Sequence, residues 1–354
     1  MFHMKSWIQF IGLGVSFFFT ALVIYYLNWD EVWGALAQIH WGWMILTIVV
    51  YYTGVLVRAW RWRWLFPAGI DPSCKSLLGS IMVGQAFNNV LPTGRVGEWL
   101  RAAHVAKKQG LQMATAFGTI LTERLFDALT LLLLFFASLH WLPPLNGEIQ
   151  ITLGTQVLEG SLLFEFMKKL GVLSLCMLLG IIGLIPKKGR QALFWSLSLL
   201  RLPSSWSTWL EKVMKGFIEG LLSVANPWRL LRVLVLSGLM WSINALAAVT
   251  LGEGFDELRI DPARAMALVV FQSLATMIPA APGYWGVYEA GMILGFAMLN
   301  LHPSQEVALA YGLIMHLIFF IPTTLTGLWI ATRESLYPST LDSESSPNQA
   351  TNRS

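Results

Sequence analysis

Three charged residues interrupt an otherwise apolar segment that runs from Ala114 to Leu139. Glu123 and Asp127 are four residues apart and share one face of a helix, and Arg124 lies three residues before Asp127. A charge inside a membrane-spanning segment is unfavourable unless it is paired or hydrated, so these residues are candidates for function. Two acids and one base leave a net negative charge that requires another cation or a proton. A structural cluster that fixes neighbouring helices is the alternative.

A second group of charges follows Pro92 and has the spacing of a phosphate site. Arg95, Glu98 and Arg101 are spaced by three residues, so one helix face presents base, acid and base. Arginine binds phosphate oxygens through paired hydrogen bonds, and the amino end of a helix adds unpaired N–H groups. Arg95 and Arg101 are also the natural partners of the acids near Arg124. We therefore predict a lipid-headgroup site of Arg95, Arg101 and Arg124, with a solvated cytoplasmic helix face as the alternative.

Glu289 is the only acid between Ala265 and Leu299, which makes it a candidate for proton coupling or for contact with an amine. With Glu98, Glu123 and Asp127 it would balance the arginines. The sequence contains no Walker loop, no zinc-type His/Glu helix motif and no nucleophile elbow. We therefore predict no catalytic residue, no cofactor and no metal; a transporter is favoured over an enzyme, and that question stays open.

The elements that must position these residues are membrane helices. Of the 354 residues, 55% are hydrophobic and only 12% are charged, whereas about a quarter of an ordinary soluble domain is charged. Apolar runs of about 20 residues, enough to cross a hydrocarbon core of about 30 Å, recur along the chain. This composition excludes a soluble globule and predicts an all-α polytopic membrane protein. The net charge of +4 is then a matter of loop placement and does not indicate nucleic-acid binding.

Six apolar segments are long enough for full spans. They are Trp7–Leu27, Trp41–Val57, Ala114–Leu139, Leu170–Ile185, Leu230–Leu251 and Val307–Ile330. We predict one integral-membrane domain over residues 1–337, with an amphipathic helix in a cytoplasmic connection at about residues 187–228, and a disordered polar tail over residues 338–354. The amphipathic helix either lies on the membrane surface or caps the bundle.

Two further apolar segments are broken by proline and glycine. Ser76–Leu100 contains the break residues Pro92 and Gly94, and Ala265–Leu299 contains Pro279, Pro282 and Gly283. Irregular backbone at membrane depth is tolerated only where protein or a water-filled cavity covers it. Gln85 and Gln272 each precede the first proline of their break by seven residues. The two segments therefore predict a weak inverted repeat of the kind that forms transporter sites.

The distribution of Lys and Arg predicts the topology. Most of the 24 basic residues lie in connections that can be placed together on the cytoplasmic side, together with both termini. The segment from Arg58 to Lys75, which includes Arg61, is one of these connections. The first broken segment then has both ends in the cytoplasm, and the second has both ends outside. We therefore predict a multi-pass protein of the plasma (inner) membrane with two re-entrant segments of opposite orientation.

Three motifs follow one another along the chain. They are Asn88-Asn89-Val90-Leu91-Pro92-Thr93-Gly94-Arg95-Val96-Gly97-Glu98 with Arg101, then Thr122-Glu123-Arg124-Leu125-Phe126-Asp127, then Ile278-Pro279-Ala280-Ala281-Pro282-Gly283 with Gly286 and Glu289. Over about Trp7 to Ile330 the chain resembles the lysylphosphatidylglycerol synthase transmembrane family, also called flippase-like, which includes the membrane half of the multiple peptide resistance factor. In bifunctional members this region is taken to move an aminoacylated phospholipid between leaflets, while a separate soluble domain makes that lipid. The resemblance does not imply aminoacyl transfer here, and the substrate does not carry over.

We expect a flippase-like lipid transporter that moves a phosphate-bearing lipid, aminoacylated, polyprenyl-linked or other, through a polar cavity between the two breaks. One alternative is an integral-membrane transferase that acts on a lipid-linked sugar or amino acid through a carboxylate base. Another is a non-catalytic membrane partner of a lipid-modifying enzyme. The expected partners are the membrane and its phospholipid, with no nucleic acid; a homo-oligomer or a separate lipid-modifying enzyme stays open.

Overall fold

The computed structural model describes residues 29–91, 96–141, 150–153, 156–159, 169, 171–173, 175–177, 179–180, 183–184, 186–199, 204–276, 281–299, 301 and 303–335. Its helices are α1 (Trp29–Ala37), α2 (Trp41–Arg63), α3 (Cys74–Val90), α4 (Val96–Gln109), α5 (Met113–Ser138), α6 (Lys187–Ser198), α7 (Ser204–Ser223), α8 (Pro227–Gly252), α9 (Pro262–Ala275), α10 (Val287–Met298) and α11 (Gln305–Ser335). A short antiparallel hairpin, β1 (Gln150–Leu153) with β2 (Gln156–Glu159), adds to the helices and was not expected from the sequence.

Three of the described helices are long and apolar enough to cross a membrane. They are α2, α8 and, over Glu306–Glu334, α11. Helix α5 has 26 residues but is not one of these three helices. It contains the charged residues Glu123, Arg124 and Asp127. The chain is therefore a helical membrane protein, while the number of six spans stays a prediction. The first predicted span lies outside the described residues, and the fourth is described only in part.

The first broken segment forms a helical hairpin of α3 and α4. Three hydrogen bonds join the helices in antiparallel order: Gln109 Nε2 to Ser76 Oγ at 3.2 Å, Ser80 Oγ with His104 Nδ1 at 2.7 Å, and Gly97 N–H to Asn88 Oδ1 at 2.8 Å. The backbones meet closely, because a Cβ added at Gly97 would lie 1.8 Å from the carbonyl oxygen of Gly84. The chain thus returns to the end of the hairpin where it entered. Pro92 and Gly94 lie outside the described residues.

The second broken segment forms a similar hairpin of α9 and α10. Gly291 packs against Ala275, and Gly295 packs against Leu268, so this glycine pair contacts the preceding helix of its own hairpin. Between the helices, Pro282–Tyr284 forms one 3₁₀ turn in which Gly283 has a φ of +74°, a conformation that glycine adopts without steric strain. Pro279 lies outside the described residues.

The remaining helices hold the two hairpins together. Helix α11 packs on α3 where a Cβ at Gly327 would lie 2.1 Å from the carbonyl oxygen of Met82, and α2 packs on α8 at Gly54. The predicted amphipathic region contains two helices, α6 and α7. A Cβ at Gly118 of α5 would lie 2.2 Å from the carbonyl carbon of Gly216 of α7, so α7 packs directly on the bundle, as in the capping alternative.

The contact between α5 and α7 predicts a size limit at Gly118. We expect Gly118→Ala to lower stability by about 1–3 kcal/mol, since the added methyl group meets backbone that cannot move alone. Gly238→Ala is the matched control in an open helix position and should be neutral or stabilise by about 0.5–1 kcal/mol. Thermal unfolding in detergent measures both. Equal unfolding temperatures for the two variants would contradict a direct contact between α5 and α7.

Candidate functional site

A buried carboxylate, that of Glu123, lies at the centre of the charged residues. It is fully buried and contacts four guanidinium groups. The nearest N–O distances are 2.5 Å to Arg101, 2.8 Å to Arg58, 3.1 Å to Arg124 and 3.7 Å to Arg61. Burial of a charge is tolerated when it is paired and hydrogen-bonded in this way.

Two more acids complete this network. Asp127 contacts Arg61 at 2.6 Å and Arg124 at 3.4 Å. Glu98 is 3.5 Å from Arg124 and 3.7 Å from Arg101. We call these four arginines and three acids the charge network. Four positive and three negative groups give it a net charge of +1, so its described part is cationic, whereas the charges of α5 alone are net negative.

Helix packing buries two of these arginines inside the protein. The guanidinium of Arg101 lies 3.6 Å from the ring centroid of Trp62, an arrangement that the ring quadrupole favours. Trp62 is itself fixed by a hydrogen bond from Nε1 to Thr119 Oγ1 at 3.0 Å. Arg61, which is fully buried, donates from Nη1 to Ser237 Oγ at 2.9 Å. Arg61 and Arg101 therefore hold Asp127 and Glu123 in place from the protein interior.

A cavity of about 240 Å³ lies beside the charge network. Four members of the network line it: Arg58, Arg124, Glu98 and Asp127. Both broken segments contribute polar side chains, namely Gln85, Asn88 and Asn89 from α3 and Gln272, Ser273 and Thr276 from α9. Aromatic residues, among them Tyr51, Trp241, Tyr284, Tyr288 and Phe319, complete the wall. The cavity thus joins a charged side, with two arginines and two acids, to a neutral polar side.

The structure describes two of the three predicted headgroup residues and separates them. Arg124 lines the cavity, and Arg101 lies behind it against Glu123 and Trp62. Arg95 lies outside the described residues. Arg58, which was not among the predicted site residues, also lines the cavity.

Glu289 lies apart from the charge network and fixes the second break. Its Oε2 accepts a hydrogen bond from the N–H of Gly286 at 2.7 Å, and its Oε1 lies 2.6 Å from Nδ1 of His316. On the other side of the ring, Nε2 of His316 is 2.7 Å from the carbonyl oxygen of Gly283. A carbonyl only accepts, so Nε2 carries a hydrogen, and one more proton is shared between Nδ1 and the carboxylate. Proton coupling at Glu289 stays a prediction.

Within the described part of the chain, no group of three or more His, Cys, Asp or Glu side chains could hold a metal ion.

Comparison with known proteins identifies the family. A model of the lysylphosphatidylglycerol synthase TM region matches residues 9–327. The chain belongs to this family. It is 22% identical over 326 residues to the UPF0104 membrane protein MJ1595 of Methanocaldococcus jannaschii, a match that covers 90% of this chain and 92% of that relative. No solved structure gives a significant match.

A second relative is longer than this chain. The chain is 26% identical over 337 residues to the glycosyltransferase AglD of Haloferax volcanii, a match that covers 90% of this chain but 53% of AglD. The chain therefore spans about half the length of that relative.

Sequence reasoning missed Arg58 and Arg61 because both were counted among the basic residues of a cytoplasmic connection. Helix α2 continues to Arg63. Arg58 and Arg61 therefore lie inside this helix, where both contact Glu123. Their spacing of three residues, with Trp62 next to Arg61, was the available signal that they share a helix face.

The central position of Glu123 predicts a large effect on stability. We expect Glu123→Gln to destabilise the fold by about 3–5 kcal/mol, because four guanidinium groups lose their shared counter-charge in a buried place. Glu211→Gln, which breaks an exposed pair with Lys215 on α7, should change stability by less than about 1 kcal/mol. Thermal unfolding in detergent compares the two. A Glu123→Gln variant as stable as Glu211→Gln would contradict the central role of this carboxylate.

Proposed function

We propose that this chain moves a phosphate-bearing lipid between leaflets, with the polar headgroup passing through the cavity. The observation that supports this proposal most is that arginines and residues of both broken segments line one cavity. A headgroup cannot cross hydrocarbon readily because its charge would lose solvation. A polar path that replaces water around the phosphate removes this barrier.

In this proposal Arg58 and Arg124 contact the phosphate. Both line the cavity, and a guanidinium group binds two phosphate oxygens at once. The excess positive charge of the network favours an anion, because the three acids are already shared among four arginines. Arg61 and Arg101 keep the acids in place, and Arg95 remains a predicted third contact near the first break.

The two hairpins would act as re-entrant segments of opposite orientation. Gln85 and Gln272, which occupy the same place relative to their breaks, both line the cavity. Helix α3 also contacts the turn Pro282–Tyr284 of the second hairpin. These contacts support an inverted repeat around a shared site.

The orientation proposed from the basic residues is a protein of the plasma membrane with both termini in the cytoplasm. In a background with Cys74→Ser and Cys176→Ser, we expect Arg63→Cys and Lys188→Cys to be labelled from the cytoplasm only. Asp30→Cys and Glu257→Cys should react with an impermeant reagent added outside. External labelling at position 188 would overturn this orientation.

Transport of labelled lipids in liposomes tests the proposed function. We expect Arg124→Gln to fold, because its removal leaves three arginines opposite three acids. It should move anionic phospholipid at least about tenfold more slowly, since a phosphate contact inside the cavity is lost. Arg63→Gln is the matched control, because Arg63 pairs with Asp71 away from the cavity. Normal lipid movement by folded Arg124→Gln would place phosphate recognition elsewhere.

The double variant Arg124→Gln with Asp127→Asn separates a structural role of this pair from a functional one. It keeps the excess of one positive charge, so we expect it to fold and still to transport poorly, because the arginine fork that contacts phosphate is absent. Recovery of both stability and lipid movement in the double variant would mean that the pair is structural only.

An integral-membrane transferase is the second candidate function, and the similarity to a protein named glycosyltransferase AglD favours it. The cavity acids Glu98 and Asp127 would then be the candidate bases, although both are held by arginines. Dependence of any lipid conversion on a soluble donor separates this candidate from a transporter. Unchanged activity of a charge-free cavity would instead favour a non-catalytic membrane partner of a lipid-modifying enzyme.

A further inference from the structure

The neutral side of the cavity contains three buried polar atoms without a hydrogen-bond partner among the described residues. They are Oε1 of Gln85, Oδ1 of Asn89 and Nε1 of Trp241. The residues that carry them all line the cavity. A buried polar atom that stays unpaired is unfavourable by about 1–3 kcal/mol. Three such atoms in one cavity point to a ligand that pairs with them.

Neighbouring hydroxyl groups fix which atom of the Asn89 amide is unpaired. Thr323 donates its hydroxyl hydrogen to the carbonyl oxygen of Phe319 at 2.5 Å, so its Oγ1 only accepts from Asn89. The amide atom that faces it at 3.4 Å must therefore be Nδ2, which also donates to Thr324 at 2.8 Å. Asn89 is 2% exposed, and its Oδ1 remains as an acceptor on the cavity side of α3.

The unpaired set has two acceptors, Gln85 Oε1 and Asn89 Oδ1, and one donor, Trp241 Nε1. A hydroxyl group both donates and accepts, so a ligand with adjacent hydroxyl groups pairs with all three atoms. An ammonium group only donates and would leave the indole N–H of Trp241 unpaired. An apolar group would pair with none of them.

The charges of the cavity also disfavour a cationic headgroup. Both acids in the lining, Glu98 and Asp127, already contact arginines. The lining holds as many arginines as acids, and behind it the buried Arg61 and Arg101 outnumber Glu123, so an added ammonium finds no unpaired counter-charge. The volume of about 240 Å³ lies below the range of about 300–1,000 Å³ typical of sites for drug-sized ligands, so it suits a headgroup and not a whole lipid.

We propose that the headgroup is an anionic phosphate ester of a polyol or sugar, in which Gln85, Asn89 and Trp241 bind the hydroxyl groups. Arg58 and Arg124 bind the phosphate, a part of the proposal that rests on the proposed function. The neutral side of the cavity then determines specificity among anionic lipids. An added cationic amino acid on the headgroup weakens binding.

Binding of two lipids that differ only in hydroxyl groups tests this inference. Phosphatidylglycerol and phosphatidylpropanol with identical acyl chains have the same charge and nearly the same size. In competition experiments with the purified chain in detergent, we expect phosphatidylglycerol to bind about tenfold more tightly, because otherwise unpaired buried atoms gain partners. Phosphatidylinositol, which presents hydroxyl groups on a ring, distinguishes a cyclic from a linear ligand. Lysylphosphatidylglycerol should bind more weakly than phosphatidylglycerol.

Two variants assign the preference to the neutral side. Gln85→Met keeps the length of the side chain and removes its amide group, and Trp241→Phe removes the indole N–H and leaves a smaller aromatic ring. We expect each to lower the preference for phosphatidylglycerol about threefold to fivefold, a change in the range of one hydrogen bond. Trp228→Phe, at a side chain that is 72% exposed, is the matched control and should keep the full preference. Circular dichroism and thermal unfolding confirm that each variant is folded.

The outcomes separate this inference from the proposed function. Equal binding of phosphatidylglycerol and phosphatidylpropanol to the wild-type chain would overturn the inference, even if both lipids are moved in liposomes. A preference for phosphatidylglycerol that Gln85→Met and Trp241→Phe leave intact would also overturn it. A preference that these variants reduce supports the hydroxyl site, even if no lipid is moved, and in that case only the transport function fails.

Discussion

The buried carboxylate of Glu123 is the constraint on which the rest of the site depends. It removes a full charge from water in the middle of an apolar helix, and only nearby cations make this tolerable. The four guanidinium groups that surround it come from α2, α4 and α5. No one of these helices can shift along another without exposing a charge to an apolar environment. A buried ion pair of this kind adds little net stability, but it fixes one arrangement of the helices, because removal of one partner leaves the other uncompensated.

The charge network has different roles on its two sides. Arg61 and Arg101 are buried against Ser237, Trp62 and the acids, and neither lines the cavity. Arg58 and Arg124 share the same acids but line the cavity. Here four arginines share three acids, and two of the arginines face the cavity together with Glu98 and Asp127. This division is why a structural and a functional role are not exclusive alternatives for this cluster.

Residue patterns predicted the parts of this arrangement that depend on local chemistry. Proline and glycine indicated both broken segments, and the charges within Ala114–Leu139 indicated that cations must come from elsewhere. The patterns failed where the answer depends on tertiary packing. No glycine or proline lies between Arg58 and Pro67 to mark where α2 ends. A rule based on loop charges therefore ends the helix at the positive charges and places Arg58 and Arg61 in a cytoplasmic connection. The spacing of Gly291 and Gly295 indicated a close helix contact, but spacing contains no information on the partner, which is the preceding helix α9. The unpaired atoms of Gln85, Asn89 and Trp241 are likewise visible only when three helices are in place.

Helix α11 links the two broken segments. His316 of α11 contacts the carbonyl oxygen of Gly283 at the second break, and Thr324, two turns further along the helix, accepts from Asn89 at the end of α3. Pro322 lies between these two contacts and has no N–H for the carbonyl group of Ile318. The hydroxyl group of Tyr52 donates to that carbonyl oxygen at 3.1 Å, so α2, which also carries Arg58, fills the gap in the helix. A proline of this kind is the usual place for a helix to bend. Movement of one hairpin relative to the other must therefore break the buried hydrogen bond of His316 or of Thr324, or else bend α11 at Pro322. Pro322 lies next to α2, the helix that carries Arg58 and Arg61 of the charge network.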